Sequence, residues 1–140
     1  MAGGGHLNAD RLLERARSRL VRVDAARAAD ELAAGALLVD IRPADQRAAQ
    51  GDIPGAVVVD RNVLEWRLDP ASPWHLASVI DHDVRVMLIC AQGFQSSLAA
   101  ANLQDLGLVS ATDVIGGFEA WQAAGLPVRP DHCGNTRPAE

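Results

Sequence analysis

Short, uninterrupted apolar runs alternate along this chain with stretches of helical spacing, and that alternation sets the first expectation. Ala36-Leu37-Leu38-Val39, Ala56-Val57-Val58-Val59, Val84-Arg85-Val86-Met87-Leu88-Ile89 and Thr112-Asp113-Val114-Ile115 read as strands. Between them, Leu12, Leu13, Ala16 and Leu20 recur at helical spacing behind a capping Asn8. Asp24 caps a second helix, Ala25 to Ala34, which Gly35 ends. Pro43 opens a short helix to about Gln50. A helical turn at Val63-Leu64-Glu65-Trp66, a helix through Leu76 to Ile80 after the breakers Pro70 and Pro73, and helices 96–106 and Phe118 to Ala124 complete the pattern. Val21-Arg22-Val23 reads as a further short strand, and Gly51-Asp52-Ile53-Pro54-Gly55 as a turn.

Continuous apolar strands alternating with helices predict an α/β fold, a mostly parallel central sheet covered by helices on both faces. Ligands on such sheets bind at the carboxyl ends of strands. Cys90, Asp40 and Asp60 fall at such ends, which makes that edge the expected functional face.

Composition narrows the class. The 140 residues carry 49% hydrophobic positions, enough for one domain with a real core. Thirteen basic and 18 acidic residues leave a net charge of −5, which argues against nucleic acid as a partner. Arg11, Arg15, Arg17, Arg19 and Arg22 make the N-terminal stretch locally basic, and a solvated helix face accounts for them. No apolar stretch approaches membrane-spanning length, and two cysteines without a cleavable leader point to a reducing, cytoplasmic setting. His6, His75, His82 and His132 have no spacing for a metal site or a catalytic dyad, and no cofactor is expected.

The strongest chemical signal is Cys90, which follows the strand 84–89 and opens the turn Ala91-Gln92-Gly93-Phe94-Gln95 before the helix start Ser96-Ser97. A cysteine after an apolar strand is either a small buried hydrophobe or a nucleophile. Loop N–H groups curling around the sulfur, and the positive end of the helix dipole beyond it, favour thiolate. Gly93 permits a positive φ or close approach to a ligand, and Ser96 or Ser97 can cap the helix or donate to the sulfur. Phe94 is a pocket lip or a core anchor, depending on its exposure. Cys133 in Asp131-His132-Cys133 is either a chance placement or a resolving thiol for Cys90.

Four segments in order resemble the single-domain rhodaneses, the sulfurtransferase family. Leu38-Val39-Asp40-Ile41-Arg42-Pro43 resembles its Asp-x-Arg strand end, and Gly51-Asp52-Ile53-Pro54-Gly55-Ala56 its Gly-His-Ile-Pro-Gly-Ala turn. Cys90-Ala91-Gln92-Gly93-Phe94-Gln95-Ser96 resembles the loop Cys-x-x-Gly-x-Arg-Ser, and Gly116-Gly117-Phe118-Glu119-Ala120-Trp121 through Val128 the closing helix motif. The resemblance covers Val23 to Val128 and implies a rhodanese-like three-layer fold; with the N-terminal helix one domain is expected over residues 8–128, and composition points to a flexible N-terminus at 1–7 and a flexible tail at 129–140. It also implies a persulfide carried on Cys90 between a small-molecule or protein sulfur donor and a thiol acceptor. From Cys90 to Ser96 the loop has the shorter length of sulfur transfer; related phosphatases and arsenate reductases carry one residue more.

Two positions depart from the family pattern: Gln95 replaces a loop cation and Asp52 replaces His. Loss of one charged contact costs about 1.5–3 kcal/mol, roughly ten- to hundredfold in affinity, so thiosulfate is expected to be a poor donor. The persulfide still has backbone donors and the helix dipole. Arg61 or Arg67, entering from the end of strand 56–59, could supply a replacement cation at the pocket mouth; the other reading makes both surface salt-bridging groups. The expected site is thus Cys90 as nucleophile, with Ala91, Gln92, Gly93, Phe94, Gln95, Ser96 and Arg61 binding substrate and Asp40 and Arg42 as structural support. Asp52, Pro54 and Gly55 set turn geometry, and Trp66, Trp74 and Trp121 are expected to pack. The alternative function is a non-catalytic interaction or regulatory module on the same fold, for which Gln95 is the main argument.

Overall fold

A computed structural model describes residues 6–129. Its elements run α1 (Ala9–Arg17), α2 (Ala25–Ala33), β1 (Leu37–Asp40), α3 (Ala44–Gln50), β2 (Val57–Val58), α4 (Leu64–Leu68), β3 (Val86–Ile89), α5 (Gln95–Asp105), β4 (Thr112–Asp113) and α6 (Gly117–Ala123). The strands form one sheet in the order β2-β1-β3-β4, and each pairing is parallel. Leu37 to Asp40 lie beside Val86 to Ile89 residue for residue, so β1 and β3 end level with each other.

Period-two alternation sorts the strand side chains onto two apolar layers. Val39, Val86 and Leu88 face one layer with Leu64 and Leu68 of α4 and Ala99, Ala100 and Leu103 of α5. Leu38, Met87 and Ile89 face the other with Ala25 and Ala28 of α2 and Phe118 and Trp121 of α6. Helices therefore cover both faces, as expected. Helix α1 adds a further layer by packing on α5, with Ala16 buried.

Asn8 and Asp24 cap α1 and α2 as the sequence suggested, each accepting from the backbone N–H three residues on. The helix expected at Leu76 to Ile80 does not form. Leu76 and Val79 are buried, but the Leu76 N–H donates to the Arg67 carbonyl at 2.8 Å and the segment continues as turns. Burial of Leu76 and Val79 and the tether to α4 take the place of helical hydrogen bonds in this segment. The strand expected at Val21-Arg22-Val23 is reduced to one bridge between Val23 and Val114.

Trp66 and Trp74 do not pack as expected: they are 57% and 67% exposed, whereas Trp121 is buried and donates from Nε1 to the Pro127 carbonyl at 2.9 Å. Arg129 is not loose either, since it exchanges two backbone hydrogen bonds with Asp52, at 2.7 and 2.9 Å. Cys133 and the rest of the expected tail lie outside the described residues.

Candidate active site

The level ends of β1 and β3 bring Asp40 and Cys90 to one edge of the sheet, where the loop 91–94 turns into α5. Phe94, the residue before α5, offers no side-chain cap. Two N–H groups at this turn are satisfied by sulfur instead: Gly93 N donates to Cys90 Sγ at 3.2 Å and Ser96 N at 3.4 Å. Among the described residues no other loop amide reaches Sγ, so the cradle rests on Gly93 and on Ser96, one residue beyond the expected stretch.

The loop keeps this shape because α6 presses against it. Phe118 N donates to the Cys90 carbonyl at 2.7 Å and Glu119 N to that of Ala91 at 3.1 Å. Gly93 has φ +85° and Gly117 φ +59°, and a β-carbon on Gly117 would collide with the Cys90 carbonyl. Both positions thus need glycine for conformation and for close approach.

Beneath the sulfur lies a polar network that sequence reasoning did not assemble. Ser96 Oγ is 3.3 Å from Cys90 Sγ and donates to Asp113 Oδ2 at 2.7 Å, while Ser97 Oγ donates to the same oxygen at 2.8 Å. Asp113 is fully buried at the end of β4. Arg22 supplies its countercharge, Nε to Oδ1 at 2.8 Å and Nη2 to Oδ2 at 3.1 Å. The Val23–Val114 bridge explains the placement, because it runs Arg22 alongside the end of β4.

Arg22 and Arg17 both reach the loop itself. Arg17 Nη2 donates to the Gly93 carbonyl at 2.7 Å and Nε to Ser97 Oγ at 3.1 Å; Arg22 Nη2 reaches the same carbonyl at 3.2 Å. Arg17 also sits 5.7 Å from the Phe94 ring centroid. These two arginines are therefore not part of a merely solvated basic face. Arg19 does stay at the surface, paired with Asp105.

Asp40 and Arg42 form a buried bidentate pair, Nε to Oδ1 at 3.0 Å and Nη2 to Oδ2 at 2.7 Å. Arg42 also donates to the Gly51 carbonyl and to Gln50, and its guanidinium lies 4.0 Å from the Phe118 ring centroid. With its donors so engaged, it ties the end of β1 to α3 and α6, which fits the structural role expected of the pair.

A cavity of about 320 Å³ opens over Cys90, bordered by Ala91, Gln92, Phe94, Gln95, Arg42 and Arg61. Phe94 is 58% exposed, which makes it a lip rather than a core anchor. Gln92 is turned to Glu119, to which its amide donates at 3.0 Å. Arg61 borders the cavity as expected of one of the two arginines; Arg67 does not, and donates to the Trp74 carbonyl instead. Arg61 Nη1 is held by both oxygens of Glu65, at 3.0 and 3.1 Å, while its Nε is buried without an acceptor. Burial alone would raise the Glu65 carboxyl, but hydrogen bonds from its own backbone amide and Asn102, with the charge and hydrogen bond of Arg61, hold it below its ordinary value.

The structure thus brings Cys90, its loop and Arg61 to one cavity and adds Asp113, Arg17 and Arg22, which the sequence reading did not single out for the site. Asp40 and Asp60 stood out as lying at the carboxyl ends of strands, whereas Asp113 was hidden inside the expected strand 112–115; because β4 stops at Asp113, it too lies at a strand end. For the arginines only the tertiary path of residues 18–23 could have told.

The chain matches the family model of the rhodanese-like domain over residues 24–124. It is 34% identical over 93 residues to the thiosulfate sulfurtransferase GlpE of Actinobacillus succinogenes, covering 66% of this chain and 75% of that protein. A sulfurtransferase of Allochromatium vinosum is 36% identical over 93 residues, covering 66% and 77%. A solved structure from Rhodopseudomonas palustris, described as a protein of unknown function and possible tyrosine phosphatase, superposes with a TM-score of 0.80 at 32% identity, covering 92% of this chain and 99% of that one. On the extent of the family match, the chain belongs to the rhodanese-like domain family.

Proposed function

We propose that this protein is a sulfurtransferase in which Cys90 is the nucleophile and carries sulfane sulfur as a persulfide. The observation that carries this reading is the Cys90 sulfur at a strand end, receiving two backbone N–H donors beneath an open cavity. Sulfur transfer is also the chemistry that the family match and the two sulfurtransferase relatives support.

The step balances without a cofactor. The Cys90 thiolate attacks the outer sulfur of a donor R–S–S–H; a new S–S bond forms, the donor S–S bond breaks, and R–S⁻ leaves with the electron pair. Attack by an acceptor thiolate on the outer sulfur of the Cys90 persulfide then returns the Cys90 thiolate. Gly93 N–H and Ser96 N–H hold the sulfur anion throughout. Ser96 adds an adjustable contact: it accepts from the thiol while donating to Asp113, and can turn its proton to the thiolate because Asp113 retains Ser97 and Arg22.

Ala91, Gln92, Phe94, Gln95 and Arg61 form the substrate walls, with Gly93 and Ser96 beneath. Gln95 offers no charge where the family pattern has a cation, and 320 Å³ holds on the order of ten water volumes. Both favour an organic persulfide, free or on a protein, over thiosulfate. A thiol acceptor and a cytoplasmic setting accompany this reading; no described helix is long and apolar enough to cross a membrane.

The test is intact mass of the reduced protein after exposure to thiosulfate and, separately, to a low-molecular-weight persulfide. Faster gain of one sulfur from the persulfide is expected, and equal or faster gain from thiosulfate would contradict the donor assignment. Loss of phosphate from an aryl phosphate, the activity suggested for the R. palustris relative, is not expected from a loop without arginine.

A further inference from the structure

A second cavity adjoins the one over Cys90. It measures about 290 Å³ and lies between α1 and α5, bordered by Arg15 and Arg19 on one side and Asn102 and Asp105 on the other. Arg61 and Gln95 border both cavities, so the two are neighbours. Each is close to the lower end of the size of small-ligand pockets, roughly 300–1,000 Å³.

The charge along this path is uneven. Arg19 is neutralised by Asp105 at 2.6 Å. Arg15 has no side-chain partner among the described residues, although the chain as a whole carries a net charge of −5. Arg61 is only half engaged: Glu65 holds Nη1, and the buried Nε has no acceptor. An arginine that borders both cavities, with part of its guanidinium not engaged by Glu65, is placed for an acid group. Glu65, fixed by Asn102 as well as Arg61, keeps the guanidinium in place for that contact.

Building on the persulfide reading above, we propose that the donor is an elongated thiol persulfide bearing carboxylates, its sulfur over Cys90 and its acidic end in the α1–α5 groove, with Arg61 and Arg15 as specificity residues. Where the loop offers only Gln95, Arg61 brings a guanidinium, shared with Glu65, from the start of the segment leading into α4. Arg15 likewise gives α1 a role in binding, although it lies before the family match begins at residue 24.

The experiment compares glutathione persulfide with the persulfide of glutathione diethyl ester, whose carboxylates are masked, as sulfur donors to the full chain. The rate of sulfur gain on Cys90 is followed by mass. The charged donor is expected to load faster, by roughly tenfold, the scale of one charged hydrogen bond. Arg61→Gln and Arg15→Gln are expected to slow the charged donor several-fold more than the ester, and an unchanged far-UV circular dichroism spectrum controls for damage to the fold. Equal rates for both donors in the wild type and both variants would overturn the groove while leaving sulfur transfer standing. Binding of S-methylglutathione, which cannot transfer sulfur, is measured in parallel by calorimetry. Binding weakened by Arg61→Gln without any sulfur gain would uphold the groove and remove the sulfurtransferase reading; neither binding nor gain would overturn both.

Discussion

Arg17, the last residue of the N-terminal helix, donates from its guanidinium to the carbonyl of Gly93 at 2.7 Å, so an element outside the family match grips the loop that holds Cys90. Gly93 is also a residue whose N–H reaches the sulfur. A contact on its carbonyl therefore fixes the peptides on both sides of the residue, and with them the aim of a sulfur donor. The grip comes from 76 residues away in sequence, and it makes the helix a part of the site rather than an accessory to the fold.

Arg17→Ala is expected to slow sulfur loading roughly tenfold, the lower end of what a charged hydrogen bond supplies. Far-UV circular dichroism should remain unchanged, because Arg17 is half-buried at the surface and Arg22 still reaches the same carbonyl at 3.2 Å. Single-turnover loading followed by mass spectrometry checks this. An unchanged rate would mean that the loop holds its shape without α1.

Removing Arg22 is a different experiment, since it leaves the fully buried Asp113 carboxylate without its countercharge. Arg22→Ala should cost about 3–5 kcal/mol of stability, the usual penalty for orphaning one partner of a buried pair. Urea unfolding should show a lower midpoint, and Arg22→Ala combined with Asp113→Asn should recover part of the loss. A double variant no more stable than the single one would contradict the pairing.

Ser96→Ala removes the hydroxyl 3.3 Å from the Cys90 sulfur but keeps the backbone N–H at 3.4 Å. Loading should persist but slow roughly ten- to hundredfold, because a hydrogen bond to the thiolate is worth about 1.5–3 kcal/mol and the amide cradle remains. Complete loss of loading, measured against a folded control, would place the hydroxyl rather than the amides at the centre of sulfur stabilisation.

Acid should loosen two ties away from the sulfur. Glu31 sits below its ordinary value of 4.5, chiefly through the hydrogen bond from Arg85, with burial opposing and the charges of Arg85 and Arg27 adding to it. Glu65 is lowered as well, and it holds Arg61. A folded-state value below the unfolded one gives stability that is present above pH about 4.5 and disappears as the pH falls through the folded value. At this exposure each pair contributes no more than about 1 kcal/mol. Glu31→Gln should therefore reduce the stability difference between pH 6 and pH 4 in denaturant titrations; an unchanged difference would contradict the assignment.

Most of the sheet was legible because its strands are apolar on both faces and its helices begin at ordinary caps. Val86 to Ile89 could be read as a central strand without knowing its neighbours, and Asp24 announced α2 by itself. What escaped were features decided by distant contacts. Leu76 and Val79 are anchors of an irregular segment because Arg67 takes the Leu76 N–H, which no local pattern reveals. Trp66 and Trp74 have the composition of core residues, yet their backbone course leaves them outside. In the site, Cys90 and Gly93 were visible as a turn with a nucleophile, whereas the Arg17–Gly93 and Arg22–Asp113 pairs span 76 and 91 residues. Arg61 falls between these cases: its sequence position suggested the cavity, and its half-engaged guanidinium appeared only with Glu65 in place.

The most direct measurement is to load the reduced protein with a low-molecular-weight persulfide, digest it without reductant, and locate the added sulfur by tandem mass spectrometry, with Cys90→Ser treated alongside. One extra sulfur on the peptide containing Cys90, lost on addition of a thiol acceptor and absent from Cys90→Ser, is the expected result. Sulfur retained by Cys90→Ser, or none gained by a wild-type protein whose Cys90 alkylates readily, would contradict a Cys90 persulfide and favour a binding module on the same fold.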